Sequence, residues 1–218
     1  AYGTAGISSS TSLQVTVNSA FEDLEVVKFL SGENVGDDKT WYWASNVDSF
    51  VGMGPYEVDY GGGEFAWPNW WNAIKANDEE KSCMYADEFV FTRTEDGLTF
   101  EQTEGPAFIP GYYAGVIGVD GDTCHGVDVV PTMYGLKNVS IVPSSSKAAL
   151  EGSFDGKPYR GTSFNISGGG FMGWYVGASS YDIISISGTE MYLRVVTAGS
   201  PFGDGGAAWY QKFTSIKP

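Results

Sequence analysis

YDIISIS at 181–187 and EMYLRVV at 190–196 flank a Ser187-Gly188-Thr189 turn, and their apolar residues recur with a period nearer two than 3.6. Successive side chains of a strand point to opposite faces, so this period predicts two β-strands, and the glycine-bearing turn makes them an antiparallel hairpin. The same period continues outward along the chain. WYWASNV (41–47), EFVFTRT (88–94), LTFEQTE (98–104), KNVSIVP (137–143), TSFNIS (162–167) and AWYQKFT (208–214) all have the length and the β-branched or aromatic content of strands. Glu95-Asp96-Gly97 marks a second hairpin, between EFVFTRT and LTFEQTE.

Glycine, at 30 of 218 residues, has about twice its usual share and gathers in turn-like clusters such as Gly61-Gly62-Gly63 and Gly168-Gly169-Gly170. Many short strands joined by tight turns are therefore expected. Strands with one apolar face bury it by stacking sheets, so the expected fold is all-β, an antiparallel two-sheet β-sandwich, with a lipocalin-like up-and-down β-barrel as the alternative. Helix is scarce: PNWWNAIKANDEEK (68–81) is expected to be a short helix or structured loop pinned by Trp70 and Trp71. Residues 1–29, with the alternating SLQVTV at 12–17 and a short helix or linker in FEDLEVVKFL, are expected to be the end of a preceding β domain and its linker. Residues 30–218 then form the main module of a larger multidomain protein.

Twelve basic against 27 acidic residues leave a net charge of −15, which repels nucleic acid, anionic membranes and acidic polysaccharides alike. Neutral glycans need no counter-charge and remain as partners. No apolar run has membrane-spanning length, so no membrane insertion by this segment is expected. Cys83 and Cys124 are the two cysteines, and either they form one disulfide in an oxidising compartment or they remain two thiols.

Seven tryptophans and an aromatic share of 15% exceed what the core of such a chain needs. Indole rings are flat apolar surfaces on which the C–H face of a sugar stacks, its hydroxyls turning to a polar rim. Trp41, Trp43 and Trp209 fall on strands and are assigned to the core. Trp67, Trp70 and Trp71 lie instead in a stretch bounded by Gly, Pro and Asn, where binding residues are carried on a rigid scaffold. Tyr112, Tyr113 and Trp174 are bracketed by glycines, which allow close approach of a ligand or a tight bend. These six are the candidate carbohydrate-binding residues.

Catalytic patterns fit poorly. A retaining glycosidase needs two carboxyls roughly 5–5.5 Å apart, and Glu57 and Asp59 share a strand face, but Glu64 follows three glycines at the opposite parity. His125, the single histidine, has no nucleophile marked beside it, and no phosphate loop or dinucleotide fingerprint is present. The expectation is a non-enzyme without a cofactor. Asp120, Asp122 and Asp128 in VDGDTCHGVD offer oxygen ligands for a structural calcium, although their spacing does not match an EF-hand loop.

Taken together, KTWYWASNVDSFVGMGP, WPNWWNA, MYADEFVFT, the long stretch from Ile166 to Val196, and AWYQKFTSIKP resemble the C-terminal module of Bacteroidota surface proteins. Such modules follow PKD-type β domains and accompany family 16 β-glucanases in polysaccharide utilisation loci. The resemblance spans residues 37–218. It implies a non-catalytic glycan-binding module, extracellular or on the outer-membrane surface, with β-1,3-glucan such as laminarin as the favoured ligand. The alternatives are a lipocalin-like binder of a small apolar ligand and a glycoside hydrolase of β-glucan.

Overall fold

The computed structural model describes residues 21–56, 68, 70–154, 157–198 and 207–218. The strand expected at 12–17 lies outside them, as do Glu57, Asp59, Glu64 and Trp67. In chain order the elements are α1 (Leu24–Leu30), β1 (Asp38–Trp43), β2 (Val51–Pro55), β3 (Glu88–Thr94), β4 (Gly97–Glu104), β5 (Ala107–Ile109), α2 (Gly111–Ile117), β6 (Thr123–His125), β7 (Lys137–Pro143), α3 (Lys147–Glu151), β8 (Ser153–Phe154), β9 (Lys157–Pro158), β10 (Thr162–Ile166), β11 (Ser180–Ile186), β12 (Glu190–Val196) and β13 (Ala207–Thr214). A 3-10 helix covers Glu79–Met84 and overlaps the expected segment 68–81 only in its last three residues, while residues 70–78 are non-helical loop.

The main sheet is a closed eight-strand antiparallel barrel, which corrects the expected two-sheet sandwich. β1, β3, β4, β7, β10, β11, β12 and β13 pair in that order, and β13 pairs back onto β1. Tyr42 faces Thr214 and Trp43 faces Phe213 across this closure. After an excursion through residues 44–50, β2 continues along the same edge of β13, from Val51 opposite Gln211 to Pro55 opposite Ala207. The closing strand is thus split in two. A sandwich would have left the edges of β1 and β13 open, with their backbone N–H and C=O groups unpaired; closure removes both edges.

The inward positions of the strand alternation carry rings that fill the barrel. Trp43 stacks on Phe213 at 4.5 Å and meets Phe89 edge-on at 5.9 Å. Further round, Phe91 meets Phe164 at 5.7 Å, and Phe164 stacks on Tyr181 at 5.1 Å. Such pairs contribute roughly 0.5–1.5 kcal/mol each beyond the area they bury. The closed topology is therefore that of the alternative weighed above, but its middle is packed aromatic core.

One end is sealed by α1. Asp23 caps this helix by accepting from the Val26 N–H at 3.1 Å, and the buried Val26 and Leu30 join the barrel core. Trp41 donates its indole N–H to the Leu30 carbonyl at 3.0 Å. Arg160 holds Asp23 through two bonds of 3.0 and 2.8 Å. Val26 of the expected segment 1–29 and Leu30 of the main module thus share one core. α3 and the β8–β9 hairpin cover the outer wall, where Ala148, Ala149 and Tyr159 pack with Ile184, Tyr192 and Tyr210.

Candidate functional site: the aromatic end of the barrel

The opposite end is closed by the connections between β2 and β3, β4 and β7, and β10 and β11. Trp209 enters it from the first turn of the alternation in β13 and is buried, with its N–H on Thr197 Oγ1 at 2.9 Å. Three aromatic residues from three separate connections converge on it. Trp174 lies 5.0 Å from Trp209 between ring centroids, Trp71 6.3 Å and Tyr112 6.5 Å. Phe108 of β5 stacks beneath Trp174 at 4.6 Å, and the Lys81 ammonium lies 5.0 Å from the Phe108 ring.

Backbone pairing sets these positions. Trp71 forms a bridge with Met53 of β2, accepting its N–H at 2.7 Å and donating back at 3.0 Å. Trp174 forms a parallel bridge with Phe108. The Cys83–Cys124 disulfide joins the 3-10 helix to β6, next to β5, so it ties the floor of this end together. Of the two states left open for these cysteines, the bonded one is observed.

The six sequence candidates are placed unequally. Trp70 is 38% exposed, and Trp71, its chain neighbour, and Tyr112 are half-buried against Trp209. Tyr113, on the same helix as Tyr112, is buried against Tyr175 at 5.6 Å, because residues 111–117 form α2 instead of an extended segment. Trp174 is 1% exposed and presents no face to a ligand in this conformation. Trp67 lies outside the described residues. Two supporting residues, Trp209 and Phe108, were not among the candidates. Trp209 was assigned to core from its strand parity, which is correct for its burial and silent about what it supports.

The acidic loop has a structural use. Asp122 Oδ1 accepts the N–H of Gly111 at 3.0 Å, capping the start of α2 where Pro110 offers no side-chain cap. His125 Nε2 lies 2.7 Å from the Asp120 carbonyl. Among the described residues no group of three His, Cys, Asp or Glu side chains is gathered to hold a metal, so Asp120, Asp122 and Asp128 do not converge. No helix among the described residues is long and apolar enough to cross a membrane.

No protein-family model matches the chain, and no curated protein matches it significantly in sequence.

Proposed function

We propose that this protein is a non-catalytic binder of a neutral glycan, which it meets at the aromatic end of the barrel. The observation that carries this reading is the exposed Trp70 indole, next in the chain to the half-buried Trp71, which together with the half-buried Tyr112 is braced on the buried Trp209. A stacking platform needs rings that are open on one side and immobile on the other, and rigidity reduces the entropy lost on binding. The net charge of −15 selects against acidic polysaccharides. The finer expectation, β-1,3-glucan, rests on the sequence resemblance. A place outside the cell accords with the disulfide. The reading as a binder of small apolar ligands draws no support from an interior occupied by Trp43, Phe89, Phe91, Phe164 and Phe213.

Affinity electrophoresis in laminarin, xyloglucan and alginate tests the reading. Retardation in laminarin, lost in Trp70→Ala, is expected, and alginate is expected to have no effect. Absence of retardation in every neutral glucan would defeat it, and release of reducing sugar from laminarin would overturn the non-catalytic part.

A further inference from the structure

A second built site lies on the outer wall of the barrel, away from the rings. β7, β10, β11 and β12 align Val142, Ser163, Asp182 and Arg194 as successive cross-strand partners, all on the outward parity. These residues form the floor of a groove of about 400 Å³, within the range of small-molecule sites. Asp182 is fully engaged: Oδ1 accepts from Ser163 Oγ at 2.7 Å, and Oδ2 accepts from Ser146 Oγ at 2.8 Å and Arg194 Nη1 at 2.9 Å. Ser144 Oγ is 2.6 Å from Ser163 Oγ. Because Ser163 has already given its proton to a carboxylate, Ser144 must be the donor of that pair. The direction of every hydroxyl in the network is thereby set.

Arg194 is the unusual member. It is 1% exposed, its Nη1 is on Asp182 and its Nη2 on the Tyr56 carbonyl, yet its buried Nε–H has no hydrogen-bond partner. Leaving a buried donor of a charged group unpaired is costly. The Arg194–Asp182 pair is neutral overall, so the groove does not call for an ion. Its rim adds Asn165 and Ser180, adjacent cross-strand partners on the same outward parity, whose side chains make no hydrogen bond among the described residues. Val142, Pro143 and Val196 supply apolar surface beside these polar groups.

We propose that this groove binds a neutral polyhydroxy ligand, a single pyranose or a ring of similar size, by hydrogen bonds instead of by stacking. Hydroxyls both donate and accept, which suits a rim carrying the Asn165 carboxamide and the Ser180 hydroxyl above a floor fixed by the Asp182–Arg194 network, while ring C–H groups lie on the valine and proline surface. The site does not depend on the aromatic end. The sugar comes either free or as the terminal residue of a longer chain, and the recognising chemistry is the same.

The test is a titration of the isotope-labelled protein followed by NMR, with glucose, galactose, inositol, laminaribiose and acetate as separate probes. Saturable shifts confined to residues of β10–β12 are expected with at least one neutral probe. Free monosaccharide as the source gives equal or tighter binding of the monosaccharide than of the disaccharide, and a chain end gives the reverse. Ser180→Trp, at an exposed position, fills the groove and is expected to weaken binding at least about tenfold at an unchanged melting temperature. Trp70→Ala is expected to leave these shifts intact. No saturable shift with any neutral probe, saturation by acetate alone, or shifts unaltered in a folded Ser180→Trp variant would each overturn the proposal. Loss of laminarin retardation in Trp70→Ala with these shifts unaltered separates the two sites.

Discussion

Trp43 donates its indole N–H to Asp87 Oδ2 across 2.9 Å, and Asp87 is wholly buried. A carboxyl group has thus been taken into an aromatic core with one neutral donor for company. Burial pushes its pKa well above the ordinary 3.8, and the Trp43 bond opposes this only in part. Its other oxygen, Oδ1, has no hydrogen-bond partner.

The sign of the pH effect follows. With the native pKa above the unfolded one, the folded state keeps a proton that the unfolded chain releases, so the contribution to stability is complete below about pH 4 and is lost as pH rises toward the native pKa. Asp87→Asn removes this titration. The variant is expected to gain stability relative to the parent as the pH rises above about 4. Urea unfolding at a series of pH values checks this, and parallel curves for the two proteins would refute it.

Gly105 and Gly173 press on the two sides of the same carboxyl. Both have left-handed backbone, φ 87° and 67°, and a Cβ at either position would strike Asp87, that at Gly173 also meeting the Phe89 ring. Alanine at either site is expected to destabilise the fold by roughly 1–3 kcal/mol, from overpacking added to backbone strain. A fall in the urea midpoint with unchanged slope is the expected readout.

Trp70 and Trp174 separate platform from core. Trp174→Ala is expected to cost about 3–5 kcal/mol of stability, since it empties a buried indole site. Trp70→Ala is expected to leave the melting temperature nearly unchanged and to weaken glucan binding by about 1–3 kcal/mol. Equal thermal destabilisation in the two variants would mean that Trp70 is structural.

The Cys83–Cys124 bond closes a loop with a sequence separation of 41 residues. Loop-closure entropy for that length corresponds to about 4 kcal/mol of stabilisation. The double Cys→Ala variant is expected to lose stability of that order, and to lose amide-exchange protection first in β5, β6 and the 3-10 helix. Uniform loss across the barrel would show that this end is not a separate cooperative unit.

At the other end, Asp23 balances opposing influences: burial raises its pKa, and bonds from Arg160, Thr162 and the Val26 N–H outweigh it, leaving the pKa lowered. A lowered native pKa stabilises above the unfolded value and is lost as the pH falls. Arg160→Ala is therefore expected to cost about 1 kcal/mol at pH 7 and progressively less below pH 4, as followed by thermal melts.

The all-β class was legible because alternation is local: each strand of the 181–196 hairpin declares its two faces within a few residues. Core membership of Trp41 and Trp43 followed from the same parity. The Asp182–Arg194 pair was not within reach, since the turn pairs Ile186 with Met191 and only an irregularity between Ile183 and Ser185 brings Asp182 opposite Arg194 instead of Val195.

Closure was not legible. Whether β1 meets β13 depends on backbone groups that every strand edge carries alike, so no side-chain pattern at Trp43 or Phe213 distinguishes a barrel from a sandwich. Burial of Trp174 was hidden for a related reason: its glycine-rich surroundings read as an open loop, and only the arrival of Phe108 and Trp209 from distant segments covers its faces. Sequence by itself determined the eight strands of the barrel, their faces, the net negative charge and the two cysteines available for pairing, but not β2, β5, β6, β8 or β9. Tertiary structure alone decided that the sheet closes and which rings remain open, because both depend on contacts between segments far apart in the chain.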